Sequence, residues 1–228
     1  MTARDRFIGV ISKALGREKT PANPAPFTWR HSVHTDVMKD LSRDELERVF
    51  IEYSRAIGVD VVETTTGELN AAIKKAVVEC GSGPVIMADD ALFDEWNTVG
   101  ALETARTVRI WNTGGPGQDD VRFAEKAAVG IAVAELALSE SATVLLFSRK
   151  GCGRSVTLLP ESVIFVVPKS RIRPRLTQGM AHLSRNKENL PSSVNFVSGP
   201  SATSDIELVR VVGVHGPSYV IHIVVHDI

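Results

Sequence analysis

Between Ser42 and Ala88 the spacing of apolar residues changes period several times, and this constrains the fold more than any other feature of the chain. Ser42 precedes Asp44, Glu45, Leu46, Val49, Phe50, Tyr53 and Ile57. That run supplies an N-cap hydroxyl, an acidic first turn and an apolar helical stripe, which Gly58 ends. Val59-Asp60-Val61-Val62-Glu63 then has strand character, Glu68 to Cys80 is helical, and Pro84-Val85-Ile86-Met87-Ala88 forms the next strand. Strand and helix in alternation predict an α/β fold whose sheet is mixed but largely parallel and is flanked by helices.

The same pattern continues with a short helix at Ala91 to Trp96, a strand at Thr107 to Trp111, and a helix from Asp119 to Ala128 entered through Gly114-Gly115-Pro116-Gly117. Those glycines lack the fixed spacing and the lysine of a phosphate-binding P-loop, so the loop is taken as a turn. Further on, Ala132 to Leu138, Thr143 to Phe147, Val156 to Leu159 and Val163 to Val167 predict short strands. Their connections are too brief for crossover helices and imply hairpins. Arg171 to Lys187 predicts a helix interrupted by Pro174, and Leu208 to Val212 and Tyr219 to Val225 predict the last strands.

At the start of the chain Phe7, Val10, Ile11, Ala14 and Leu15 share one helical face, and Pro21, Pro24 and Pro26 interrupt the segment that follows. Residues 1–30 are therefore expected to form a helical arm with a linker, and 31–228 a single α/β domain. The arm either packs on its own domain or clasps a second subunit, so a homo-oligomer is allowed. With 43% apolar residues the 228-residue chain can build a substantial core. A net charge of −1 gives no drive toward nucleic acid. No apolar run is long enough to span a bilayer, and charges at Arg4, Asp5, Arg6 and Lys13 interrupt what a signal peptide would keep apolar. A cytoplasmic location is the expectation. Cys80 and Cys152 are the only cysteines, too few and too far apart in sequence for a disulfide framework or a four-cysteine iron–sulfur cluster.

The densest polar run is Ser198-Gly199-Pro200-Ser201-Ala202-Thr203-Ser204-Asp205-Ile206-Glu207, followed by Gly213-Val214-His215-Gly216-Pro217. Val194 to Val197 before it predicts a strand. The turn is then expected at a strand's carboxyl end, where open α/β sheets bind ligands. Asp205 and Glu207 share one face if extended and diverge on a helix. Thr203 or Ser204 capping a helix whose first turn holds the acids is the structural alternative. His215 offers a proton-transfer group near neutral pH if it meets the two acids in one cleft, and is otherwise a turn histidine. Glu140 falls between two strands, where its carboxylate pKa is open to tuning. Arg149, Lys150 and Arg154 frame Gly151-Cys152-Gly153, a basic turn suited to a carboxylate or phosphate, and the cations are expected to lower the Cys152 pKa. His222 and His226 fall on one strand face, and His31 and His34 form another close pair. Without a completing carboxylate or cysteine neither pair is assigned a metal.

The Ser-Gly-Pro-Ser-x-x-x-Asp-Ile-Glu run and the later Gly-Val-His-Gly-Pro resemble the C-terminal signature of the lactate utilization protein C (LUD domain) family. Glu140-Ser141-Ala142-Thr143 is similar to that family's Glu-Thr-Gly-Thr, with Ser141 and Ala142 in place of Thr and Gly. This departure bears on any role needing a backbone conformation that only glycine adopts easily. The resemblance implies a fold similar to sugar-phosphate isomerases, coenzyme A transferases and the folate cyclo-ligase. It also implies a place in L-lactate oxidation to pyruvate beside companion proteins that carry the iron–sulfur centres. Glu140, Asp205, Glu207 and His215 are the candidate catalytic residues on this basis. Arg154, Ser198, Gly199 and Ser201 are the candidates for binding a small anion, and no cofactor of the chain's own is assigned. An independent transferase or ligase acting on a coenzyme A ester, nucleotide or folate is the competing expectation, motivated by the fold resemblance and by Glu140 at a strand end.

Overall fold

In the computed structural model, residues 2–17, 28–111, 117–205 and 208–228 are described. The chain divides into two units, residues 1–33 and 34–228. The first carries α1 (Ala3–Ala14), whose start is fixed by a capping box: Asp5 N–H donates to the Thr2 hydroxyl at 3.1 Å and Thr2 N–H to the Asp5 carboxylate at 2.8 Å. None of its residues is buried. A short helix, α2 (Val33–Asp36), spans the division.

The second unit opens on α3 (Arg43–Ala56), capped by Ser42 and Glu45 as its sequence predicts. There follow β1 (Asp60–Thr64), α4 (Leu69–Glu79), β2 (Val85–Met87), α5 (Ala91–Glu95), α6 (Thr98–Glu103), β3 (Val108–Ile110), α7 (Gln118–Lys126) and β4 (Val129–Val133). Next come β5 (Leu136–Leu138), β6 (Thr143–Ser148), α8 (Ser155–Leu158), β7 (Ser162–Pro168), β8 (Ile172–Arg173), α9 (Leu176–Arg185) and β9 (Ser193–Ser198). The order ends with β10 (Ala202–Thr203), β11 (Val211–Val212) and β12 (Tyr219–Val225).

Six strands form an all-parallel sheet in the order β1-β12-β7-β4-β2-β3. β2, β4 and β7 are buried along their whole length, as expected for a sheet covered on both faces. The core joins these strands to Leu46, Phe50 and Ile51 of α3 and to Leu69, Ile73 and Val77 of α4. A second, mixed sheet has the order β8-β5-β6-β9, and β10 with β11 makes a two-stranded ribbon.

Three sequence expectations need correction. Val156 to Leu159 is not a strand: α8 crosses there, packed so tightly on β4 that a Cβ at Gly130 would lie 1.9 Å from the Val156 carbonyl oxygen. Ala132 to Leu138 is two strands, because the chain leaves the parallel sheet at Ala134 and Glu135 and enters the second sheet as β5. Of the hairpins expected between 132 and 167 only β5–β6 forms, and β7 returns to the central sheet parallel to β4.

Candidate functional site

The connection after β2 runs outward to β3, whereas β4, on the other side of β2, is followed in the sheet by β7 and β12. This reversal makes the carboxyl ends of β2 and β4 the topological switch point, where open parallel sheets leave a crevice for a ligand. Ala88 N–H donates to the Ile131 carbonyl at 2.9 Å, and beyond β3 Trp111 N–H donates to the Met87 carbonyl at 2.8 Å. The basic turn docks beside this edge. Asp89 N–H donates to the Gly151 carbonyl at 2.7 Å, and Arg149 pairs with Asp90, whose other oxygen caps α5 by accepting from Leu92 N–H at 3.1 Å.

Both glycines of the turn are required by packing. A Cβ at Gly151 would lie 2.5 Å from the Asp89 carbonyl oxygen, and one at Gly153 would lie 2.2 Å from the Trp111 ring. The result is a cavity of about 620 Å³ whose lining includes Trp111, Phe147, Arg149, Lys150, Arg154 and Asn189. Asp90 neutralises Arg149, but Lys150 and Arg154 form no ion pair among the described residues. Two cations with no counter-ion among the described residues, beside a sheet's carboxyl edge, have the chemistry to attract an anion. Cys152 behaves otherwise than its cationic neighbours predict: burial pushes its thiol up to about 11, and the opposing pull of Arg149 is smaller. The Cys80 thiol is likewise raised to about 11 by burial.

The two signature blocks meet on the second sheet. Thr143 stands opposite Ser198 in the β6–β9 register, their hydroxyls 2.6 Å apart, and the Ser141 hydroxyl adds a 2.7 Å link to Thr143. Ala142 has φ 48° and ψ 38°, so the left-handed conformation that glycine favours persists with a buried methyl group. Glu140 is held by Arg175, Nε to Oε2 at 2.6 Å, and its N–H donates to the Pro174 carbonyl at 3.0 Å.

β9 belongs to the second sheet, antiparallel to β6. The loop that follows it therefore meets the amino ends of β7 and β12, not the carboxyl edge expected from a parallel strand. Gly199, at φ 70°, packs against Ile57. Ser201 is tied to the returning chain through its N–H to the Pro217 carbonyl and its carbonyl from Gly213 N–H, both at 2.9 Å. The rest of the signature is the β10–β11 ribbon. Asp205 lies in its turn, where the Thr203 hydroxyl donates to it at 3.1 Å, while His215 follows the ribbon's other end, beyond the Ala202↔Val212 pair. His215 is exposed and borders a cavity of about 260 Å³ with Phe196, Ser198, Gly199, Ser201 and Val220. Glu207 lies outside the described residues, as does most of the 114–117 loop.

The two C-terminal histidines separate. His222 is fully buried, stacked on Phe50 at 5.1 Å between ring centroids, with Nδ1 3.0 Å from the Ser54 hydroxyl. His226 lies past the end of β12 with Nδ1 2.5 Å from the Glu47 carboxylate, which also takes Lys169 at 3.0 Å.

The LUD domain profile matches residues 47–225. The chain belongs to the LUD domain family. Its relatives include lactate utilization protein C of Geobacillus thermodenitrificans, 39% identical over 98% of this chain and 96% of that one, and the same-named protein of Bacillus subtilis, 36% identical over the same shares. A crystal structure of a DUF162 family protein from Deinococcus radiodurans superposes with a TM-score of 0.57 at 23% identity, covering 81% of this chain and 99% of that one, a likeness of fold. Sequence reasoning found the cations of the switch-point cavity but missed Trp111 and Asn189. The one local signal for Trp111 was an aromatic directly after a strand.

Proposed function

We propose that this chain is an accessory component of a system that oxidises L-lactate to pyruvate, and that it binds a small anion while companion proteins carry the electrons. The names of its relatives support the pathway. The observation that carries the binding role is the pair of cations, Lys150 and Arg154, that have no counter-ion among the described residues and line the switch-point cavity. A guanidinium matches a carboxylate with two parallel N–H donors, and an ammonium adds a point charge beside it. Two cysteines leave iron–sulfur chemistry to partners. The exposed ribbon is the proposed contact with them, supported by Leu208, 92% exposed, and Val209, 60% exposed. On this reading Asp205 and His215 shape the ribbon and its base, and Ser198, Gly199 and Ser201 anchor it. A cytoplasmic location belongs to the same proposal and is supported by two unpaired thiols. For the rival transferase or ligase reading, Glu140 would have to act while paired with Arg175 at 2.6 Å, and that pairing favours the accessory reading.

Lactate-dependent reduction of an electron acceptor, measured in extracts of a strain lacking this protein, tests the proposal. Added wild-type protein should restore the rate, and folded Arg154→Ala should need about tenfold more protein or ligand, the loss expected for a charge-assisted hydrogen bond. An undiminished rate in the deletion extract would refute the role.

A further inference from the structure

The switch-point cavity is built for more than a three-carbon acid. Its volume, about 620 Å³, falls within the range of about 300–1,000 Å³ that encloses cofactor-sized ligands. A monocarboxylate engages one of the two exposed cations that lack an ion pair among the described residues, and the other stays available to a second anionic group. The lining combines the cations Arg149, Lys150 and Arg154 with the aromatic rings of Trp111 and Phe147, and Asn189 and Ser192 add neutral hydrogen-bonding groups. Trp111 is fixed in place, with its ring against the Cα of Gly153 where no side chain fits and its N–H in the ladder to Met87. A rigid indole beside paired cations fits a flat ring that carries two or more negative charges, because the indole rewards ring contact and the cations reward phosphate oxygens.

We infer that this cavity binds a phosphorylated compound with a planar ring, of the nucleoside diphosphate class, at Lys150, Arg154 and Trp111. The inference rests on the cavity being the chain's anion site and adds the identity of the ligand class. A diphosphate offers anionic oxygens to both cations that line the cavity. The base lies along Trp111, and Asn189 and Ser192 are within the same lining to meet ring or sugar edges. Its three parts are separable, which makes the test specific.

Calorimetric titration of the full chain with ADP, inorganic pyrophosphate, adenosine and L-lactate decides it. ADP should bind about tenfold more tightly than pyrophosphate, the contribution of one stacked base, and adenosine alone should bind weakly. Lys150→Ala and Arg154→Ala, each checked for an unchanged melting temperature, should weaken ADP and pyrophosphate together by about tenfold. Trp111→Leu should erase the difference between ADP and pyrophosphate without weakening pyrophosphate. Equal affinity for ADP and pyrophosphate would overturn the ring half of the inference. Binding of L-lactate with none of ADP would overturn all of it and leave the proposed function standing. ADP binding that survives both cation variants, or no binding of any probe, would overturn the assignment of the cavity itself and the anion-binding reading with it.

Discussion

His222 turns burial into a pH dependence whose size follows from its surroundings. The ring lies among Phe50 and Phe165 with the Ser54 hydroxyl on Nδ1, and desolvation lowers its pKa from 6.5 to about 3. The folded protein therefore holds it neutral at pH values where the unfolded chain takes up a proton. Above pH 6.5 both states are neutral and nothing is lost. Below it the unfolded state binds more protons, so stability falls by about 1.4 kcal/mol per pH unit until the folded pKa is reached. Between pH 6.5 and 4.5 this amounts to about 3 kcal/mol, a large share of the ~5–15 kcal/mol typical of a domain. Carboxylates held low by their partners, such as Asp44, Glu45 and Asp227, act in the same direction but mainly at lower pH. His222→Asn removes the titrating ring and keeps a polar group near Ser54. Urea unfolding of both proteins at half-unit steps from pH 7.5 to 4.5 should show a variant that is weaker at neutral pH but loses about 3 kcal/mol less on acidification. Parallel pH profiles for the two proteins would refute the reasoning.

Gly130→Ala would drive a methyl group into the Val156 carbonyl, a backbone clash that no rotamer relieves; a cost at or above the upper end of about 1–3 kcal/mol is expected as a lower urea midpoint. Ala142→Val, β-branched at φ 48°, should lower stability by about 2 kcal/mol or more, whereas Ala142→Gly should stay within about 1 kcal/mol of the parent because relieved backbone strain offsets a lost buried methyl; chemical denaturation distinguishes them. Both thiols, with pKa values near 11, should resist iodoacetamide at pH 8 in the native protein and react in urea, and mass spectrometry reads the difference.

Apart from α6, for which no helix was expected, the helices and parallel strands between Ser42 and Lys126 were legible because their signals are local. The Ser42 N-cap, the acidic first turn and the apolar stripe of α3 are properties of neighbouring residues. The basic turn around Cys152 was legible as a charge pattern too. What misled was long-range. Val156 to Leu159 is apolar and short, and only its packing over Gly130 makes it helical. The cations near Cys152 pointed to a lowered thiol pKa, but its burial, which a sequence does not display, outweighs them. The signature loop was expected at the carboxyl edge because strand direction was inferred from one strand alone.

By itself the sequence determined the periods, caps and charges: an α/β chain with two cysteines, a basic Gly-Cys-Gly turn and a polar C-terminal signature. Tertiary structure decided which strands share a sheet, and with that which edge each loop occupies. Pairing β9 with β6 instead of a parallel neighbour sends the signature to the amino edge, and the hydrogen bond from Asp89 to Gly151 brings the basic turn to the switch point. Both outcomes depend on partners at least forty-five residues away, and chain-local chemistry carries no record of such pairings.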